Sequence, residues 1–339
     1  MAPLISIIMP VFNAEKRIRV SIQSILDQTF KNFELILVDD GSVDGSPMIC
    51  DEYSVIDNRV KVIHQPNKRV SEARNAGIKE SKGDFISFVD ADDIIDVNTY
   101  EKVMGLLSDD SIDMVIFGMR FDYYKNNVIY KSVTRSVDRS LLIDMNNFKN
   151  EFFYLYDNNY LSPVWNKVIK AAIVKENDIW FEKEMSFLED FEFSLDILEK
   201  SKKIFVLSDP FYEYYHNLKV GSLERRPNID CIRNFQILDM KLRNFAEGFE
   251  LDEGLNARKI NGMIIRYYII AIEKIFSSSE SFKYKYKEMK DIIATEEIKN
   301  ALNKDYVTRG RLRVVYYLLK KRKYIILFLL FFCNDVLRK

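Results

Sequence analysis

Apolar positions recur with two different periods along this chain, and the change of period divides it. In the first third, short unbroken apolar runs alternate with helical patterns. Leu4 to Met9 is rich in isoleucine and stops at Pro10, which predicts a buried strand. Ile18, Ile22, Ile25 and Leu26 recur at helical spacing, which predicts an amphipathic helix from Arg17 to Gln28. The same reading predicts strands over Phe33–Val38, Val60–His64, Phe85–Val89 and Asp113–Phe117. It predicts helices over Ser46–Tyr53, Ser71–Glu80 and Thr99–Leu107, with Ser71 as an N-cap. In the middle, Arg120–Tyr124 and Val128–Val133 pair as a hairpin around Asn126-Asn127. Leu141–Tyr156 and Ser186–Lys200 read as helices, and Ile204–Leu207 and Phe211–Tyr215 as short strands. Beyond Asn228 only helical periodicity remains. Strands alternating with helices predict an α/β fold, a mostly parallel sheet flanked by helices, with an α-helical C-terminal extension.

In such a sheet, ligands bind beyond the carboxyl ends of the strands. Three polar clusters fall there, each directly after an apolar run: Pro10-Val11-Phe12-Asn13, Asp39-Asp40-Gly41-Ser42 and Asp90-Ala91-Asp92-Asp93. Three clusters on one edge point to a site rather than to unrelated turns. Taken singly, each admits a plainer reading. Three crowded aspartates repel one another unless a cation sits between them, and hard divalent ions accept such ligands. The same residues also make a solvated acidic turn ahead of a helix. Asp, Gly and Ser at 39–42 are turn formers in their own right. Arg74, on the first turns of the Ser71 helix, can neutralise a phosphate or sit exposed.

Composition removes several classes of function. The 339 residues are 47% apolar and 30% charged, which is globular composition in a chain long enough for one large or two smaller domains. Three cysteines with no CxxC pair exclude a disulfide framework and a thiolate zinc site, and suit a reducing compartment. Two histidines cannot build a multi-histidine centre. The first nine residues lack the pattern of a signal peptide. Lys plus Arg total 50 against 51 Asp plus Glu, so no global basic field exists for nucleic acid. That balance is an average. From Tyr306 to Lys339 there are nine basic residues and one acid, so an acidic body ends in a basic tail.

The ordered set of motifs is more specific than any member. Besides the three edge clusters it includes Ala73-Arg74-Asn75-Ala76-Gly77, Trp165-Asn166-Lys167 and Glu189-Asp190. Over about residues 4–222 the chain resembles the family-2 glycosyltransferases with the GT-A fold. The resemblance implies a catalytic domain at 1–222, a helical region at 223–305 and a tail at 306–339. It implies nucleotide-sugar contacts at Pro10, Phe12, Asp40, Arg74, Asp90 and Asp93. Asp90 and Asp92 would hold Mn2+ or Mg2+, His216 could complete that metal site, Trp165 would floor the acceptor site, and Asp190 would be the catalytic base. The reaction implied is inverting transfer from a nucleotide-diphospho-sugar, UDP-linked, to a saccharide acceptor in capsule, exopolysaccharide or other surface-glycan synthesis. A non-catalytic nucleotide-sugar-binding or assembly protein with the same fold is the competing class.

Two positions depart from the family pattern. Arg69 stands where the loop before the ARN motif usually has glycine, and Leu188 stands where glycine often precedes the ED pair. The tail adds a location. Arg309, Arg311, Arg313 and Lys320-Lys321-Arg322-Lys323 surround apolar and aromatic residues, and the apolar run Tyr324–Cys333 follows. Basic residues interleaved with aromatics and leucines suit a helix lying in an anionic interface. The run is far shorter than the roughly 20 residues needed to span a bilayer. The expectation is a cytoplasmic protein peripheral to the inner face of the membrane, acting on a polyprenyl-diphosphate-linked acceptor.

Overall fold

The computed structural model describes residues 4–125, 128–185, 187–217, 231–276, 280–303 and 311–338. Asn126-Asn127, Ser186 and Arg309 of the sequence-based expectations lie outside these residues. The chain forms two compact units, Met1–Val220 and Gly221–Lys339.

The first unit is α/β. Its elements in chain order are β1 (Ile5–Val11), α1 (Ile18–Leu26), β2 (Phe33–Asp39), α2 (Ser46–Ile56), β3 (Val60–His64), α3 (Arg69–Glu80) and β4 (Phe85–Phe88). β5 (Ile94–Ile95), α4 (Thr99–Leu107), β6 (Met114–Lys125), β7 (Val128–Arg135) and β8 (Leu141–Asp144) follow. Then come α5 (Phe152–Asp157), β9 (Lys167–Lys170), α6 (Ala171–Glu176), α7 (Glu189–Lys200) and β10 (Lys203–Asn217). The strand order is β3-β2-β1-β4-β9-β6-β10-β5, with β7 on β6 and β8 on β10. β3, β2, β1 and β4 are mutually parallel. The remainder is mixed: β9 runs antiparallel to β4 and β6, and β6 and β10 are parallel.

The parallel half follows from its sequence. β1 and β2 are buried on both faces, so both read as apolar runs interrupted internally only by Ser6 and Glu34, which bond to each other. α3 lies on β1 and β2. A Cβ at Gly77 would stand 2.3 Å from Ile8 Cγ2, so only glycine lets that helix approach the strand so closely.

Elsewhere the structure corrects the sequence reading. Leu141–Tyr156 is not one helix. Leu141–Asp144 is a strand on β10, a 3-10 turn over Met145–Asn150 follows, and α5 starts at Phe152. Asp144 ends the strand by accepting from the Asn146 N–H at 3.0 Å. The two short strands near 204 and 211 are one strand, β10, whose register shifts on either side of Pro210. Proline cannot donate to the ladder, so the irregularity falls where the pattern seemed to break. Ser71 is not an N-cap, because α3 begins two residues earlier at Arg69.

The second unit is helical: α8 (Cys231–Gly248), α9 (Gly254–Phe276), α10 (Phe282–Ala294), α11 (Glu296–Asn303), α12 (Arg311–Lys320) and α13 (Tyr324–Arg338). Phe328 of α13 packs on Phe276 of α9 and Tyr286 of α10. No described helix is long and apolar enough to cross a membrane.

Candidate active site

β1, β2 and β4 end on one edge, and a crevice opens there between β1 and β4. Pairing of β1 with β4 stops at Ile8 and Phe88, while pairing with β2 continues to Val11 and Asp39. Pro10 falls in that stretch, beyond the last β4 partner, where a missing N–H interrupts no β4 pairing. Phe12 follows with 45% of its surface exposed, unusual for phenylalanine in a structured loop. Its loop is tied down: the Asn13 N–H donates to Ser42 Oγ at 3.0 Å and the Ala14 N–H to Ser46 Oγ at 2.9 Å. Asp40 is buried at the end of β2, and its Oδ1 accepts from Gln65 Nε2 at 2.7 Å and the Lys68 N–H at 2.8 Å. Gly41 has φ +72, and a Cβ there would meet the Asn67 nitrogen at 2.6 Å.

The charged centre lies around Arg74. Its guanidinium is 3% exposed and meets carboxylates from two other segments. Nη1 donates to Asp190 and reaches Glu189 at 3.5 Å, while Nη2 reaches Asp90 at 3.3 Å. The ring of Phe181 lies 5.2 Å from its Cζ. Residues far apart in sequence are thus joined by one cation. Burial alone would depress Arg74, but Asp190, Asp90 and Glu189 outweigh it and hold the guanidinium above its ordinary value. Asp190 is pushed up to about 7, chiefly by burial and further by Glu189 and Asp90, against the pull of Arg74 and Lys167. Glu189 is raised as well, again chiefly by burial. A carboxyl near 7 matches the range in which a general base works best at neutral pH.

Asp90, Asp92 and Asp93 divide by environment. Asp92 reaches solvent but is crowded by the cleft walls, and that crowding together with the Asp90 charge pushes it up to about 6. Asp93 is fully buried, and both its oxygens are taken: Oδ2 accepts from Tyr212 Oη at 2.8 Å and Oδ1 from the Tyr215 N–H at 2.7 Å. Burial and its two neighbours hold Asp93 well above the carboxylate range. It therefore fastens the acidic turn to β10 and exposes no surface of its own. Tyr212 Oη also accepts the Asp90 N–H at 3.1 Å. Trp165, buried, stacks on Tyr212 with ring centroids 4.1 Å apart. His216 sits on β10 beside Tyr123, with centroids 4.9 Å apart. Among the described residues no three His, Cys, Asp or Glu side chains converge on a metal-sized point, so His216 is not gathered with Asp90 and Asp92.

Three residues escaped the sequence reading as individuals. Tyr212 joins Asp93, Asp90 and Trp165, yet in sequence it is one aromatic among several. Lys167 is 1% exposed, and its ammonium donates to the carbonyls of Tyr160, Leu161 and Pro163. Burial pulls it down to about 7. Arg17 stacks over the Tyr215 ring at 3.9 Å. The two departures from the family pattern also resolve. Arg69 and Leu188 take φ +75 and +65, so both keep the left-handed backbone that glycine adopts without strain.

A sheet with this order, with arginine and carboxylates gathered at the ends of its parallel strands, has the GT-A architecture. The sequence model described as "Glycosyl transferase family 2" matches residues 6–176, and the chain belongs to that family. It is 33% identical to the glycosyltransferase GlyG of Streptococcus pneumoniae over 230 residues, covering 66% of this chain and 74% of that one. It is 29% identical over 218 residues to an uncharacterized glycosyltransferase, EpsJ, of Bacillus subtilis, covering 64% of this chain and 62% of that protein. The chain thus spans less than two thirds of EpsJ's length. Residues 1–349 of S. aureus TarS, solved in complex with UDP, superpose with a TM-score of 0.64 at 20% identity, covering 96% of this chain and 89% of that one. The TarS likeness is one of fold.

Proposed function

We propose that the chain is an inverting glycosyltransferase acting on a nucleotide-diphospho-sugar, UDP-linked, with Asp190 as the base. One observation carries this reading: Arg74 draws Asp190, at the head of α7, to Asp90, at the end of β4, on the edge where parallel sheets bind ligands. Phe12 and Asp40, with Pro10 behind them, line the end of the crevice suited to a base. Arg74 serves the phosphate side. The acceptor hydroxyl is a poor nucleophile, and Asp190 takes its proton as it attacks the anomeric carbon from the face opposite the leaving diphosphate. A single displacement inverts the configuration. Trp165, stacked on the buried Tyr212, is the side chain proposed to floor the acceptor site.

The residues fit a divalent cation. Asp90 and Asp92 stand two residues apart on one turn and offer hard oxygen donors, and their like charges, which raise the proton affinity of Asp92 beyond the effect of burial, are of the kind a cation between them would offset. Mn2+ or Mg2+ bound there would neutralise charge developing on the departing diphosphate.

The fold neighbours support the donor class: TarS was solved with UDP-GlcNAc, and a Pyrobaculum calidifontis mannosyltransferase with GDP-Man and Mn2+. A surface-glycan acceptor is supported by a relative named as a minor teichoic acid biosynthesis protein, 28% identical over 235 residues. For the membrane, α12 and α13 carry exposed Ile325, Ile326 and Leu329 next to exposed Lys320, Lys321, Arg322 and Lys323. That pattern supports peripheral binding to an anionic surface bearing a polyprenyl-diphosphate-linked acceptor. The test is a screen of UDP- and GDP-sugars with Mn2+ and a polyprenyl-linked saccharide, read as product formation. Transfer that needs Asp190 supports the reading. Nucleotide-sugar binding without turnover over the whole panel indicates a non-catalytic binding protein. Flotation with anionic but not neutral liposomes tests the tail.

A further inference from the structure

The cleft carries more negative than positive charge, and its buried arginine is already committed. Arg74 spends both Nη nitrogens on Asp190, Glu189 and Asp90, and its Nε is buried without a partner. Asp92 stands beside this group with no cation within ion-pairing distance among the described residues. A nucleotide diphosphate brings further negative charge to the same place. A divalent cation on Asp90 and Asp92 would offset part of that charge, and a second arginine facing the diphosphate would offset more.

Arg17 is placed to correct this. It precedes α1, in the loop that carries Phe12, and that loop is anchored to the 42–46 segment through Ser42 and Ser46. Two contacts fix its guanidinium. Nε donates to the backbone oxygen of Asp92 at 3.2 Å, and the Cζ lies 3.9 Å from the Tyr215 ring centroid. Tyr215 is itself held, because its N–H donates to Asp93. The plane of the guanidinium is therefore set before any ligand arrives. Among the described residues neither Nη atom of Arg17 has a hydrogen-bond acceptor or a carboxylate partner. Two donors in a rigid fork, held at the acidic turn and unpaired, match the geometry of phosphate recognition.

We propose that Arg17 is a donor-binding residue whose two Nη groups take the diphosphate of the nucleotide sugar on the Asp92 side, while Arg74 serves the Asp90 side. The proposal rests on the nucleotide-sugar reading given above. Preorganisation by Tyr215 and the Asp92 carbonyl lets Arg17 meet the diphosphate with little loss of side-chain freedom. A purely structural Arg17 would instead only clip the end of β10 to the acidic turn, and its loss would weaken all ligands alike.

The experiment uses the full chain with Mn2+ and calorimetric titration of UDP and UMP, with uridine followed by ligand-observed NMR, and the guanosine series in parallel. The variants are Arg17→Met, which keeps an apolar stem against Tyr215, and Arg17→Lys. A charge-assisted hydrogen bond of about 1.5–3 kcal/mol corresponds to a roughly 10- to 150-fold loss of affinity. The expected result is such a loss for UDP in Arg17→Met, a smaller loss for UMP, unchanged uridine binding, and partial recovery in Arg17→Lys. Equal losses for UDP and uridine, or wild-type UDP affinity in Arg17→Met, overturn the proposal. If the wild-type chain binds neither UDP nor GDP, the donor reading itself fails, a result distinct from either.

Discussion

Replacing Arg74 by methionine isolates the charge at the centre of the site. The change keeps the length and apolar stem of a side chain that is 3% exposed, and removes the cation shared by Asp190, Glu189 and Asp90. Leaving a buried charge without its partner costs about 3–5 kcal/mol. The head of α7 offsets part of this, since carboxylates near a helix N-terminus gain about 0.3–1 kcal/mol. Protonation limits the rest. Arg74 is the strongest influence holding Asp190 and Glu189 down, so both carboxyls rise further without it. Their folded values then lie above the unfolded ones, near 4. Wild-type Asp190 itself keeps its proton up to about pH 7, so the difference between variant and wild type is small below 7 and grows as pH rises above it. Both tryptophans, Trp165 and Trp180, lie in the 1–220 unit, so their fluorescence reports that unit alone. With about 2–4.7 kcal/mol left after that offset, and roughly 2–4 °C per kcal/mol for a domain of this size, the melting temperature at pH 8 should fall by about 4–19 °C. The fall at pH 5.5 should be clearly smaller. A fall below 2 °C at pH 8, or one equal at both pH values, would refute the reasoning.

Further outcomes follow from particular positions. Arg69→Gly should stabilise: a Cβ in the left-handed region costs about 1–2 kcal/mol, glycine's extra unfolded freedom returns about 0.4–1, and the exposed Arg69 side chain loses little packing. Leu188→Gly relieves the same strain but gives up a half-buried leucine, so urea melts should show it gaining less than Arg69→Gly. Gly77→Ala should cost about 1–3 kcal/mol in the same melts, because its Cβ would press on Ile8 inside the sheet. Lys167, pulled down to about 7, binds its proton more weakly folded than unfolded. The stability of the wild type relative to Lys167→Met should therefore rise between pH 7 and 10, by up to about 1.4 kcal/mol per pH unit. A flat difference would show that Lys167 titrates normally.

What was legible in the sequence had local causes. Strands buried on both faces announce themselves as nearly unbroken apolar runs, which is why β2 begins at the residue read from the pattern. Polar clusters directly after those runs marked the edge of the site, and the order of motifs pointed to the family. The errors had physical causes too. Leu141-Leu142-Ile143 is too short to distinguish a strand from a helix by period, and its partner on β10 lies some sixty residues away in sequence. Glycine-like backbone at Arg69 and Leu188 is imposed by the surrounding fold, and no residue type there announces it. Asp93 carries the same side chain as Asp90 and Asp92, and only burial against Tyr212 separates it from them. Arg17 is unremarkable in sequence because Tyr215, which holds it, belongs to a strand at the other end of the unit.

The central claim is that Asp190 removes the acceptor's proton at a site where Arg74 and Asp90 meet the donor. The direct measurement is Asp190→Asn in the full chain, with sugar transfer and UDP affinity determined on the same preparation. The account predicts a loss of transfer of about 10²–10⁴-fold, with UDP binding within a few-fold of wild type. Transfer within tenfold of wild type, with UDP binding intact, would contradict it.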